Sequence, residues 1–296
     1  MNSDTPAPSR LKPLAALALT MLCGALLPGL AQAAAAPQPG KVFKDCKDCP
    51  EMVVLPAGTF TMGTPEDEVG REPDEGPMHD VTFAKPFAMS RFHITASEWD
   101  SYVRQTGVKI ANGDERPGRE CIASKPRYPQ GPRQPAVCMD FDDVKNYVAW
   151  LSKKTGHTYQ MVSEAQREYA ARAGSTGPFP FPFDAGKGYS IAEHANTYGP
   201  ADGYSYSSPV GSYPPNAFGM YDMHGNVYEW LADCEHTNYI GAPTDGSAWV
   251  EPGCESRQIR GNDWGEAPVF SRSGNRNNIY PQTRGDWIGF RVVRDL

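Results

Sequence analysis

The sequence predicts a single domain of mixed helix and strand in which regular structure is scarce, and three observations carry that expectation. Three segments have clear 3.6-residue apolar spacing, one early apolar run reads as a strand, and the stretch beyond Gly174 is rich in Gly, Pro, Asn, Tyr and Trp without a long periodic helix. The strand is Met52-Val53-Val54-Leu55-Pro56-Ala57-Gly58, closed by its own turn signal. The helices are Ala96 to Thr106, Asp142 to Thr155 and Ser163 to Ala173, the last opened by Ser163 and Gln166 as a capping box. Beyond Gly174 an irregular backbone must satisfy its buried peptide groups through turns, side chains, waters or ions, so bound cations would help to hold it. No internal repeat, charge block or composition break marks a second domain.

The first residues have the order of a secretory signal peptide. Arg10 and Lys12 precede an apolar run from Pro13 to Leu30, and Ala31-Gln32-Ala33 supplies a small-residue cleavage site. Pro13, Gly24 and Pro28 interrupt the run, which falls short of the roughly 20 clean apolar residues a membrane anchor needs. Leu22 is too bulky for lipoprotein processing at Cys23. Residues 1–33 are thus expected to be removed on export, residues 34–42 to form a flexible leader and residues 43–296 the folded domain, with no stable membrane insertion after cleavage. The chain has seven cysteines, and without Cys23 the remainder are Cys46, Cys49, Cys121, Cys138, Cys234 and Cys254. An even number in an oxidising compartment predicts disulfides; of the 15 connectivities that six cysteines allow, local closure favours Cys121 with Cys138 and Cys234 with Cys254, and less strongly Cys46 with Cys49. The Cys46-x-x-Cys49 spacing would also suit a redox motif or half a zinc site, but no second such pair supports either. A net charge of −7 and the lack of a basic stripe argue against nucleic-acid partners.

Four segments, in order, resemble the formylglycine-generating enzyme (sulfatase-modifying factor) family over roughly Met52 to Arg294. They are Met52-Val53-Val54-Leu55-Pro56-Ala57-Gly58-Thr59-Phe60-Thr61-Met62-Gly63; Val162-Ser163-Glu164-Ala165 with Glu168-Tyr169-Ala170-Ala171-Arg172; Asn216 through Trp230; and Ile288-Gly289-Phe290-Arg291. The resemblance implies a single α+β domain of the C-type-lectin-like fold. On the residues alone, Asp222 and Glu229 bracket a Gly-containing turn that can aim oxygens inward, and hard oxygen ligands in a flexible loop suit calcium. The usual fate of isolated carboxylates, as turn caps or surface ion pairs, is the alternative. By resemblance, one structural calcium would use the Asp222 and Glu229 side chains with the Gly225 and Val227 carbonyls. A second would use Asn196 and Asp202 with the Thr197 and Tyr204 carbonyls. The six histidines are scattered, with no HExxH, so a catalytic zinc or non-haem iron centre is not expected.

The family's oxidase binds copper through two cysteines after an Arg-Gly-Gly-Ser turn. Here the segment is Arg260-Gly261-Asn262-Asp263-Trp264-Gly265-Glu266-Ala267-Pro268-Val269-Phe270-Ser271-Arg272, with Glu266 and Ser271 at the cysteine positions. Neither replaces a thiolate as a ligand for Cu(I), so no copper and no formylglycine chemistry are expected. Trp264, Phe270, Tyr280 and Trp287 could supply an aromatic wall, while Asp263, Glu266, Ser271, Arg272, Asn275 and Arg276 supply polar groups, the usual makeup of a small-molecule site. A carboxylate desolvated beside aromatics suits a general acid or base, which makes Glu266 the candidate catalytic residue. Family members that are exported and lack the cysteine pair imply a periplasmic oxidoreductase role, the oxidation of a dihydropyoverdine-type siderophore precursor to its fluorescent chromophore. A non-catalytic binding module of the same fold is the alternative, and sulfatase activation a third reading.

Overall fold

The computed structural model describes residues 38–113, 120–187 and 189–296, with a few isolated positions before residue 10. The chain divides into two compact units, Met1–Ala35 and Ala36–Leu296. Isolated positions apart, the signal segment expected over residues 1–33 lies outside the described residues. No helix among the described residues is long and apolar enough to cross a membrane.

The elements run in chain order as β1 (Val42–Phe43), β2 (Met52–Leu55), β3 (Gly58–Met62), β4 (His79–Phe83), β5 (Phe87–Ser90), α1 (Ala96–Thr106), β6 (Cys121–Ile122), β7 (Lys125–Pro126), α2 (Phe141–Thr155), β8 (Tyr159–Met161) and α3 (Glu164–Arg172). After a long irregular stretch come β9 (Tyr228–Cys234), β10 (Arg257–Arg260), β11 (Asn277–Ile279), β12 (Ile288–Phe290) and β13 (Val292–Arg294). The three expected helices are present, each opened by a capping box: Thr95 with Glu98, Asp140 with Asp143, and Ser163 with Gln166. These boxes satisfy N–H groups that the first turn leaves without partners. The mixed α+β architecture agrees with the sequence expectation, as do the three locally closed disulfides Cys46–Cys49, Cys121–Cys138 and Cys234–Cys254.

Two sheets organise the domain. The first, in the order β1-β2-β5-β13-β8, joins the start of the domain to its end, with Val53 paired to Met89 and Met89 to Val293. The second, β11-β10-β9-β12, lies within the stretch expected to be irregular. Its strands carry polar residues such as Arg257, Gln258, Asn277 and Asn278, which give little apolar alternation to read. A single residue, Arg291, separates β12 from β13, so the chain passes from one sheet to the other there. One apolar core packs Trp99, Tyr147, Trp230 and Phe290 between α1, α2 and the second sheet. Another gathers Phe83, Phe87, Tyr169 and Val293.

Between these cores lies an interior of paired charges. Glu229 accepts from Arg167 Nε and Arg291 Nε, both at 2.9 Å, and lies 3.0 Å from His93 Nε2. Glu164 accepts from Arg260 Nη2 and Arg276 Nε, both at 2.7 Å. Glu168 accepts from Arg172 Nε at 2.8 Å and from the backbone of Gly63. Helix α3 therefore contributes Glu164, Arg167, Glu168 and Arg172, all buried, so its charges face inward. Burial pushes the Glu164 carboxyl up, but Arg260 and Arg276 outweigh it and hold the group down at about 2. For His93, burial and then the Arg291 charge lower the imidazole to about 4, so it is neutral at pH 7.

Such pairs contribute little net stability relative to an apolar core, yet breaking one strands a buried charge. Glu164→Gln should lower unfolding free energy at pH 7 by about 3 kcal/mol, read by urea denaturation. Because Glu164 is depressed from 4.5 to about 2, its contribution is present above the unfolded value and is lost as pH falls towards 2. The gap between wild type and Glu164→Gln should thus narrow from pH 4.5 downward, and a constant gap would refute the assignment.

Candidate functional site

The second sheet and the loop that follows β10 build a pocket of about 240 Å³, lined by Tyr228, Ile259, Asp263, Glu266, Asn277, Asn278, Ile279 and Trp287. Adjacent residues of a strand face opposite ways. On β9, Glu229 enters the ionic interior while Tyr228 meets Trp287 edge to face at 5.8 Å. The loop is pinned from within. Gly261 has φ +105, and a Cβ there would lie 2.6 Å from Arg167 Nη2, so only glycine fits beneath that guanidinium. Asn262, fully buried, donates to the Ala267 carbonyl at 3.1 Å and to Ser271 Oγ at 2.7 Å. Asp263 Oδ1 accepts from Gly265 N at 2.6 Å, and the Glu266 carbonyl accepts from Tyr198 N at 2.9 Å. These bonds leave the Glu266 side chain exposed at the rim. Burial, first, and then the charges of Asp263 and Glu266 keep the Tyr228 phenol protonated well above its usual range.

The structure brings together only part of the predicted set. Asp263, Glu266 and Trp287 share the pocket, but Glu266 stands in solvent at its edge and is not walled in by aromatics. Ser271 is fully buried, its Oγ taken by Asn262 and its carbonyl 2.8 Å from His224 Nδ1. Arg272 is bound to Glu75 and Glu68, and Arg276 to Glu164 and to the carbonyls of Asp74 and His236. Ser271, Arg272 and Arg276 therefore do not line this pocket, and interior carboxylates and amides engage them. Asn275 likewise is buried against Glu75. Trp264 packs edge-on against Tyr128 and Tyr206, Phe270 is half-buried away from the lining, and Tyr280 is 67 % exposed. Tyr228, Ile259, Asn277, Asn278 and Ile279 escaped the sequence reading. Tyr228 lies in the strongest motif, where strand alternation against Glu229 was the available signal.

The family-implied calcium ligands can be tested on their buried oxygens. Asp222 Oδ2 accepts from Gly211 N at 2.8 Å, while Oδ1 is buried without a hydrogen-bond partner, and burial pushes the carboxyl up to about 6. Asn196 Oδ1 is likewise buried and without a hydrogen-bond partner, its Nδ2 donating to the Tyr206 carbonyl. Asp202 receives the N–H groups of Thr197 and Tyr204, both at 2.9 Å, which wraps the 196–204 loop around its carboxylate. Gly225, with φ +139, lets the Asp222 loop approach; a Cβ there would meet the Asn196 carbonyl at 2.3 Å. Asp222, Asn196 and Asp202 fit an oxygen-seeking cation. Glu229 does not, because two guanidiniums already satisfy its charge and would repel a dication. For copper, Glu266 and Ser271 offer no thiolate.

A family model, the sulfatase-modifying factor enzyme 1-like domain, matches residues 38–296, and the chain belongs to that family. It is 28% identical to an inactive C-alpha-formylglycine-generating enzyme 2 of Bos taurus, over 82% of this chain and 87% of the relative. It is equally 28% identical to a formylglycine-generating enzyme of Mycobacterium tuberculosis, over 83% and 98%. Among solved structures, PvdO from Pseudomonas aeruginosa is 76% identical with a TM-score of 0.87, covering 88% of this chain and all of that one. Treponema denticola variable protein 1, at 18% identity and a TM-score of 0.67, shares the fold.

If Arg276 is structural, Arg276→Ala should cost about 3–5 kcal/mol in urea denaturation. Asn277→Ala, exposed on the pocket wall, should change stability by no more than about 0.5 kcal/mol.

Proposed function

We propose that this chain is an exported, periplasmic oxidoreductase that completes a pyoverdine-type siderophore by oxidising its dihydropyoverdine precursor to the fluorescent chromophore. The observation that carries this reading is the pocket: a carboxylate at one of the family's cysteine positions stands at the mouth of a space whose lining also includes the edge-to-face pair Trp287 and Tyr228. The 76% identity to PvdO supports it, since a functional site is far better conserved at that level than in relatives near 28%. The oxidation removes two electrons and two protons from the ring. Glu266, at the rim and open to water, accepts a proton and passes it to solvent. Tyr228, held protonated, orients the ring as a hydrogen-bond donor. An external two-electron acceptor takes the electrons together with the second proton, as a hydride equivalent.

The test is chromophore formation by purified mature protein. Glu266→Gln should lower kcat by about 100-fold or more, and normal turnover would remove Glu266 from the chemistry. Normal pyoverdine fluorescence in a deletion strain would remove the maturation role itself.

We also propose up to two structural calcium ions. The Asn196 and Asp202 side chains with the Thr197 and Tyr204 carbonyls would hold one, and Asp222 with the Gly225 and Val227 carbonyls the other. An ion bound only to the folded state stabilises by mass action, about 2.7 kcal/mol at a hundred times its Kd. Chelation should therefore lower Tm, with recovery on adding calcium and a smaller loss in Asn196→Ala. An unchanged melting curve with no ion by elemental analysis would rule this out.

A further inference from the structure

We infer that a second cleft, bordered by Pro214, Pro215 and His224, binds a single neutral aromatic ring that carries a hydroxyl, and that His224 Nε2 is the atom that receives that hydroxyl. Among the described residues this cleft shares no lining residue with the pocket that holds Glu266, so the inference goes beyond the reading above and does not depend on it. Its volume is about 130 Å³. A dry cavity of about 150 Å³ accepts one benzene ring, so the space suits one six-membered ring and little more. Met220 and Met223, 1 % and 3 % exposed, supply a soft apolar floor of the kind that packs against ring edges. Phe181 and His194, half-buried and stacked at 4.0 Å with 9° between their planes, supply a flat side. Pro214 and Pro215 are exposed and form the mouth.

One buried acceptor interrupts this apolar lining. His224 is 5 % exposed, and its Nδ1 lies 2.8 Å from the Ser271 carbonyl oxygen, so Nδ1 carries the proton of the neutral ring. Nε2 is then a bare lone pair, and it is buried without a hydrogen-bond partner. The Ala171 carbonyl, which also acts on this imidazole, is itself an acceptor and receives Asn216 Nδ2 at 3.3 Å, so it cannot satisfy Nε2. A buried acceptor left unmade is costly, and a donor that reaches it recovers that cost. Asp222 Oδ1 is bare on the same cleft, but the calcium proposed for Asp222 would claim it, so recognition rests on His224. A charged ring would have to shed its water against the methionine floor. A neutral ring with one O–H fills the space and supplies the missing donor.

Phenol and toluene are nearly isosteric and differ in the donor. Each is titrated, at about pH 8 where an ordinary imidazole is neutral, into the mature protein in the presence of calcium, with carbon-13 methyl-labelled methionine and nitrogen-15-labelled histidine. Phenol should move the Met220 and Met223 methyl resonances saturably, and toluene should move the same two. Phenol alone should shift His224 Nε2, as a lone pair that gains a hydrogen bond. His224→Leu should weaken phenol by at least about 5-fold, the scale of one hydrogen bond, while toluene binds as well or better. Should that variant fail to fold, the Nε2 resonance of the wild type decides alone. Methionine resonances unmoved by phenol, the result for a cleft that holds only water, would overturn the inference. So would an Nε2 resonance unmoved at phenol saturation, or an equal loss of phenol and toluene in His224→Leu. None of these readouts uses turnover, so a failure here leaves the Glu266 reading standing, and normal turnover of Glu266→Gln leaves this site standing.

Discussion

Glu229 sits where three parts of the chain that are far apart in sequence must agree. Arg167 reaches it from α3, Arg291 from the single residue between the two sheets, and His93 from the segment before α1. Each is almost completely buried, so none can regain water without opening the domain. Arg291 also donates to the carbonyls of Ser90, Arg91 and Tyr221, which fastens the end of β5, the middle strand of the first sheet, and the Asp222 loop to the same point. The sheet crossing, the position of α3 and the course of the Asp222 loop are therefore one constraint. Moving any of them leaves a charge unpaired in a medium where that is costly.

A neighbouring set of buried ion pairs, on Glu164 and Glu75, fixes where the arginines beside the pocket point. A chain with 28 Lys and Arg could easily have lined a cleft with cations. Instead the arginines of the 257–276 segment are committed to the interior, the one at Arg257 lying over the Phe141 ring and the others in ion pairs. Among the described residues, the pocket between β10 and β11 is lined by acidic, amidic, aromatic and aliphatic side chains. Where these arginines point is thus set by how the scaffold is held together.

Much of the fold could be read from sequence where local rules govern it. The three helices announced themselves by apolar spacing and caps, and the disulfides by short closures. The second sheet did not, because β11 is built from Asn277, Asn278 and Ile279 and owes its strand conformation to pairing with β10. The inward charges of α3 were equally opaque. Glu164, Arg167, Glu168 and Arg172 look like a solvated face until their partners at Arg260, Arg276, Glu229 and Gly63 are known, and those lie some 60 to more than 100 residues away. This is also why Arg272 and Arg276 read as ligand-binding residues: an arginine in a polar loop carries no local sign of a buried carboxylate contributed by a distant helix or loop.

The altered cysteine positions gain meaning from this geometry. In sequence, Glu266 and Ser271 look like a paired substitution. In space they have parted: Glu266 stands at the pocket rim, while Ser271 lies in the interior, its hydroxyl taken by Asn262 and its carbonyl beside His224. A two-ligand centre needs both positions to face one point. Here one faces water and the other holds the loop from behind, so the two positions no longer converge. Asn262, in the left-handed region at φ 68 and fully buried, joins them by fixing Ala267 and Ser271 from a single side chain. The residues that share the pocket with Glu266 therefore come mostly from the strands and the segment before β12, among them Tyr228, Asn277 and Trp287, and only Asp263 comes from the loop that carries it.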